Sequence, residues 1–180
     1  MKKALILSTS IREGSNSERL AKEVLKGAKE AGLETSFVSL KGKSIAFCRG
    51  CLACQKLGRC VIDDDANAIT DEIANSDIIV FATPIYYYEM AGQMKTLIDR
   101  ANSLYVRERR FKDVYLLSVA AEEEDGVPEK ALSGLQGWVD CFEGVRLKGS
   151  LFVGGVGEPL AVEKSDALAK AYEFGRKLAC

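Results

Sequence analysis

The sequence predicts an α/β domain in which a doubly wound, five-stranded parallel sheet of order 2-1-3-4-5 carries helices on both faces. Three observations predict it. Short apolar runs alternate with amphipathic stretches, five of each, the pattern of a parallel sheet whose crossovers are helices. The run "DIIVFAT" is continuously apolar, as expected of a strand buried on both faces. The chain has 180 residues, enough for one domain (residues 1–180) with a sizeable core, and shows no internal repeat, low-complexity segment or long linker.

The elements follow in order. "KKALILS" is the first strand, and "SNSERLAKEVLKGAKEAG" the first helix, with Leu20, Val24, Leu25 and Ala28 on one face and Gly32 as its stop. "ETSFVSL" is the second strand. A cysteine-rich loop over residues 41–65 comes next, then a helix over roughly "DANAITDEIANS". "DIIVFAT" is the third strand, ended by Pro84, and "AGQMKTLIDRANSLYV" is helical. "DVYLLSVA" is the fourth strand, and "VPEKALSGLQGWVDCFE" a helix with Pro128 near its first turn. "LKGSLFVGG" is the fifth strand, and the last helix, "SDALAKAYEFGRKLA", opens on a Ser165 cap.

Composition removes several function classes. The 25 basic and 26 acidic residues give a net charge of −1, against the basic surplus that a nucleic-acid or anionic-membrane partner requires. The only basic cluster, Arg107-Glu108-Arg109-Arg110, reads as a solvated helix end. The opening "MKKALILSTS" has too short an apolar run for a signal peptide, and no segment is long enough to span a bilayer, so a cytoplasmic setting with reduced thiols is expected. The chain has no histidine. That excludes Ser-His-Asp and Cys-His catalysis and any imidazole-ligated metal, and shifts the expectation toward chemistry carried by a cofactor.

In the 2-1-3-4-5 order the chain reverses between strands 1 and 3, so ligands are expected at the carboxyl ends of those two strands. The loop after strand 1, "STSIREGSNSERL", offers Ser8, Thr9, Ser10, Ser15, Asn16 and Ser17 together with Arg12, and runs straight into a helix. Free N–H groups, the positive dipole end, hydroxyls and a guanidinium in one loop make a phosphate site. A simple helix cap needs only one of these residues. The loop is neither Walker A nor G-x-G-x-x-G. The loop after strand 3, "ATPIYYYEMAG", carries Tyr86, Tyr87 and Tyr88 in succession. Three consecutive side chains cannot all face one core, so at least one lines the crevice or an interface, and a flat aromatic ligand would suit it.

These two loops carry a family resemblance. "TSIREGSNS" resembles the G-S-x-R-x-x-G-N-T phosphate loop of the NAD(P)H-dependent FMN reductases and iron–sulfur flavoproteins. "ATPIYYYEMAGQMKTLIDR" is similar to their A-T-P-x-Y loop and following helix, and "GSLFVGGVGEP…AYEFGRKL" extends the likeness to the whole chain. The resemblance implies a flavodoxin-like fold, bound FMN, NAD(P)H as substrate and a homodimer or homotetramer. It places the phosphate on Ser10, Arg12, Asn16 and Ser17, with Ser15 in the same loop. It sets the isoalloxazine ring against Thr83, Pro84, Ile85 and Tyr86, with Tyr87 beside them. Thr9 and Ser15 stand where the family usually has glycine, and "SVAAEEEDG" replaces its Gly/Thr loop after strand 4 with Glu122 to Asp125, read here as a solvated loop.

Four of the six cysteines fall in "CRGCLACQKLGRC", at Cys48, Cys51, Cys54 and Cys60. Three thiols two residues apart can wrap a compact inorganic core, Cys60 closing it, and four thiolates match a [4Fe–4S] cluster. Structural zinc more often uses two separated knuckles. The iron–sulfur flavoproteins carry a similar run at this place, and the wider family shows similar cysteines. Cluster, unmetallated thiols and zinc all stay open, while Cys141 and Cys180 stand apart. The function expected is an FMN-dependent NAD(P)H oxidoreductase that passes electrons to a quinone, free flavin or small electrophile. The alternatives are an iron–sulfur flavoprotein relaying electrons from a ferredoxin-like partner to FMN, and a zinc-bearing interaction domain without flavin.

Overall fold

The computed structural model describes residues 1–180. Five parallel strands form the sheet: β1 (Lys3–Ser8) lies between β2 (Glu34–Ser39) and the central β3 (Ile78–Tyr86), which is followed by β5 (Asp113–Val119) and β6 (Arg146–Val153). The sheet order is thus β2-β1-β3-β5-β6. A two-residue strand, β4 (Glu89–Met90), pairs antiparallel with the end of β3. Register runs Lys3 to Glu34 across β1–β2, Ala4 to Ile78 across β1–β3, and Ile78 to Asp113 across β3–β5. A bulge falls between Val114 and Tyr115 on the β5–β6 ladder.

Side chains alternate between the two faces of the sheet, as the period of two requires. Leu5, Leu7, Ile79, Phe81, Val114 and Leu116 enter one core, with residues of α3 (Asp65–Ala74), α4 (Gly92–Arg100) and α5 (Glu129–Val139). Ala4, Ile6, Ile78, Val80, Ala82, Tyr115 and Leu117 enter the other, with α1 (Asn16–Glu30) and α6 (Ala167–Lys177). Both faces being covered explains why β1, β3 and β5 read as nearly continuous apolar runs, while the edge strands β2 and β6 are part-exposed and more polar. On the α1/α6 face the two helices touch backbone to backbone. A Cβ on Gly27 would stand 2.1 Å from the Tyr172 carbonyl oxygen, and one on Gly175 2.2 Å from that of Val24.

Several boundaries differ from the expectation. Pro84 does not end β3, which runs on to Tyr86. Ala82 turns its carbonyl toward the β1 side, where Thr9 N donates to it at 2.9 Å, so Pro84, two residues on, presents its missing N–H to the side that β1 has already left. The expected helix over 91–106 stops at Arg100 and tightens into a 3-10 turn, Ala101–Tyr105. The cysteine loop contains a one-turn helix, α2 (Cys54–Leu57). The basic cluster is no free helix end: Arg107 pairs with Asp71 at 2.6 Å and Arg110 with Asp77 at 2.7 Å. Gly32 does stop α1, with φ +87° and a Schellman closure in which Leu33 N donates to Ala28 O and Gly32 N to Lys29 O. Ser165 accepts from Ala167 N at the start of α6.

Candidate functional site

The loops leaving β1, β3, β5 and β6 meet at the carboxyl edge of the sheet around a cleft of about 400 Å3. Of the ten residues the sequence assigned to the cofactor, nine line this cleft: Ser10, Arg12, Ser15, Asn16, Ser17, Pro84, Ile85, Tyr86 and Tyr87, joined by Tyr88. Thr83 does not. It is fully buried, donates to Pro84 O and accepts from Ala91 N, both at 3.1 Å, and so braces the start of α4.

The β1 end of the cleft is built for an anion. Ser15 is the N-cap of α1 and accepts from Glu18 N at 3.2 Å, while its hydroxyl lies 3.1 Å from that of Ser17. The backbone N–H groups of Asn16 and Ser17 have no partner in the chain, and the helix dipole points its positive end at the same spot. Ser10 accepts from Arg12 N at 3.3 Å, which folds the loop back, and the exposed Arg12 guanidinium donates to Gly157 O at 2.8 Å with donors left over. Asn16 has a different task from the one expected. Its side chain donates to Val156 O (2.8 Å) and Glu158 O (2.7 Å) and accepts from Val162 N (3.3 Å), so both amide hydrogens are committed to clamping the loop after β6 against the loop after β1.

The opposite end is apolar and aromatic. β3 and β4 form a hairpin whose two turn residues, Tyr87 and Tyr88, both have positive φ, +51° and +67°. This is the backbone of a primed hairpin turn, normally supplied by Asn-Gly. Tyr86 and Tyr88 are half-exposed, Tyr87 is 98% exposed, and Lys130 Nζ stands 5.6 Å from the Tyr88 ring. Val119, Ala120, Ala121 and Glu122 after β5, and Val156 and Gly157 after β6, complete the wall. The sequence reading took the first of these two loops as solvated and did not consider the second as lining, although the place of both at the same sheet edge follows from the predicted topology. Gly154 lets them meet: a Cβ there would stand 2.5 Å from Glu122 O and 2.6 Å from Glu123 Cα. The cleft therefore suits a ligand with an anionic end and a flat aromatic end, and an FMN-like molecule fits that donor set.

The cysteine loop forms a second, smaller cavity of about 30 Å3, lined by Cys48, Cys51, Cys54 and Cys60 together with Arg100 and Asn102. Cys48 and Cys51 are exposed, Cys60 is part-buried and Cys54 is buried, with Asn102 Nδ2 donating to its sulfur at 3.4 Å. Gly50 N donates to the Cys48 sulfur at 3.4 Å. The donor type and count are those of a thiolate-held cluster, but the arrangement is not. As the chain is arranged, no three Cys, Asp or Glu side chains stand close enough together to hold a metal ion. Cys141 and Cys180 lie outside this cavity. Beneath it, Arg100 forks onto Asp64 at 2.7 and 2.8 Å. Burial opposes ionisation of Asp64, but the Arg100 bond and the N–H groups of Ala46 and Ala66 outweigh it and hold the carboxyl below the usual carboxylate range.

A family model described as NADPH-dependent FMN reductase matches residues 2–139. An iron–sulfur flavoprotein of Methanosarcina thermophila is 31% identical over 176 residues, covering 96% of this chain and 91% of that protein. One from Archaeoglobus fulgidus is 29% identical over 181 residues, covering 98% and 79%. Among solved structures, an NAD(P)H:quinone oxidoreductase from Methanothermobacter marburgensis superposes with a TM-score of 0.73 at 19% identity, covering 98% of both chains, a likeness of fold. No helix of the chain is long and apolar enough to cross a membrane. Fold, cleft and family model agree, and the chain belongs to the NADPH-dependent FMN reductase family, as a flavin-dependent oxidoreductase that uses FMN and NAD(P)H.

Proposed function

We propose that residues 1–180 form one FMN-binding domain that passes electrons from NAD(P)H to a small flat acceptor, a quinone, free flavin or comparable electrophile. The observation that carries this is the single cleft joining an anion-binding end to an aromatic end. The N–H groups of Asn16 and Ser17, the hydroxyls of Ser10, Ser15 and Ser17, and Arg12 would hold the phosphate. Pro84, Ile85, Tyr86 and Tyr87 would hold the ring. FMN, when bound, supplies the hydride and electron chemistry that this histidine-free chain does not carry in its side chains. The chain's own part is to bind, to orient and to exclude water. Asn16 fixes the distance between the first and last loops of the cleft, Thr83 fixes the start of α4, and the apolar faces of Val119, Ala120 and Val156 keep the ring's surroundings dry.

The half-exposed Tyr86 and Tyr88, the exposed Tyr87, and Tyr105 and Val106 beyond α4 support a homodimer or homotetramer built through α4 and the tyrosine hairpin. Light scattering at micromolar concentration should give two or four times 19.6 kDa, and a monomer mass would count against this assembly. A second reading adds a [4Fe–4S] cluster on Cys48, Cys51, Cys54 and Cys60, with a ferredoxin-like electron donor. It is favoured by the gathering of all four thiols in one cavity and by relatives named iron–sulfur flavoproteins. Family membership sets aside the flavin-free zinc domain. The test is an absorption spectrum, iron and sulfide analysis, and NADH or NADPH oxidation with a quinone, on anaerobically purified protein. Flavin with quinone-dependent NAD(P)H oxidation supports the first reading, and iron and sulfide in fourfold stoichiometry add the second. Flavin-replete protein that oxidises neither nucleotide would sink the first.

A further inference from the structure

The cysteine loop is long and mostly exposed; Asn67 holds the backbone of Cys60 and Ile62, Asp65 accepts from Ser44 N, and one buried side chain ties the two ends to each other. Arg100 is 2% exposed and ends α4. One of its terminal nitrogens donates to Asp64 Oδ2 and to Ala46 O, both at 2.7 Å. The other donates to Asp64 Oδ1 at 2.8 Å and to Ile62 O at 3.2 Å. Ala46 and Ile62 flank the four cysteines, so one guanidinium grips the loop before Cys48 and after Cys60. Asp64 reinforces the grip: it accepts from Ala46 N at 2.9 Å and, as the N-cap of α3, from Ala66 N at 3.1 Å.

The remaining donor of Arg100 is unused. Its Nε is buried and has no partner, although Arg100 lines the thiol cavity. A buried unsatisfied N–H is rare enough to need an explanation. Asp64 neutralises the guanidinium, and the cavity wall beside it carries the four cysteines together with Arg49, Asp99 and Asn102.

We propose that Arg100 is the positioning residue of the four-thiol cavity: it closes the cysteine loop on Asp64 and sets a fixed positive charge in the cavity wall. This rests on the cluster reading for what is held, an anionic iron–sulfur group, but the closing of the loop does not. Arg100 touches neither the FMN cleft nor its loops, so FMN content serves as the check that the domain is folded.

The experiment compares wild type, Arg100→Lys, Arg100→Met and the double variant Asp64→Asn/Arg100→Met. The double variant leaves no buried unpaired charge and keeps a capping side chain on α3. Two quantities are read: the alkylation rate of the buried Cys54 in metal-free protein at one neutral pH, and iron and sulfide per FMN after anaerobic reconstitution. Arg100→Met and the double variant should alkylate Cys54 at least roughly tenfold faster as the loop opens. They should bind iron about 10- to 100-fold more weakly, the usual effect of losing a residue that orients a metal ligand. Arg100→Lys keeps the charge without the fork, so it should fall between wild type and Arg100→Met in both. If wild type takes up no iron but the variants still expose Cys54, the cluster reading falls and the positioning role stands. If Cys54 stays protected in the FMN-replete double variant, the proposal is overturned.

Discussion

Asn16→Ala separates two roles that the sequence could not tell apart. As a phosphate ligand, Asn16 would contribute only when FMN is bound. As the clamp the structure shows, it contributes in the empty protein. It is 5% exposed and makes three hydrogen bonds, to Val156 O, Glu158 O and Val162 N. Each is worth about 1 kcal/mol net, and more where a buried partner is left unsatisfied, giving a loss of ~2–4 kcal/mol. For a chain of this size that lowers the melting temperature by roughly 5–15 °C. The assay is thermal denaturation of the FMN-free protein by circular dichroism, paired with FMN titration by fluorescence quenching. The expected result is a large fall in the FMN-free melting temperature, accompanied by weaker FMN binding because the loop after β6 has lost its tether. An unchanged melting temperature with FMN affinity reduced about 100-fold, the size of a lost charge-assisted hydrogen bond, would refute the clamp.

Arg12→Ala should do the reverse: its exposed guanidinium is tied to the chain only through Gly157 O, so the FMN-free melting temperature should hold while FMN affinity falls ~10- to 100-fold in the same titration. Gly175→Ala should destabilise by at least ~1 kcal/mol in urea unfolding, because the new Cβ meets the Val24 backbone at 2.2 Å and forces α1 and α6 apart. Gly137→Ala on α5, with open space around it, should instead gain up to about 1 kcal/mol. Asp64 sets an acid limit. Its folded carboxyl lies below the unfolded value of about 3.9, so its stabilisation is present above that pH and lost as the pH falls through the folded value. The urea midpoint of wild type should therefore drop more steeply below about pH 4 than that of Asp64→Asn.

What the sequence disclosed and what it hid divide along a physical line. β1, β3 and β5 were legible because burial on both faces leaves a nearly continuous apolar run, β2 and β6 because they fall in turn between the helical stretches, and α1 because its apolar face and Gly32 are local signals. β4 was not legible: its turn is made by Tyr87 and Tyr88, which carry no turn signal, in place of the usual Asn or Gly. The end of α4 at Arg100 is marked by no glycine or proline. In the site, residue types located the anion end and the aromatic end, but not how each polar group is used. Asn16 is committed to carbonyls some 140 residues away and Thr83 to the next helix start, and such long-range partners leave no trace in local pattern. The clasp of Arg100 on Asp64 was hidden for the same reason.

The tyrosine turn has a consequence for anyone who would engineer this protein. Tyr87 and Tyr88 occupy left-handed backbone that disfavours side chains other than those of Asn and Asp, by about 1–2 kcal/mol each. A library sorted for heat resistance alone would converge on Asn-Gly at these two positions, since that pair fits the turn without strain. The winners would melt later and present a bare hairpin where the aromatic wall had been. Thermal tolerance and the aromatic wall of the cleft pull against each other at two adjacent codons, so these positions are best held fixed while stability is sought elsewhere.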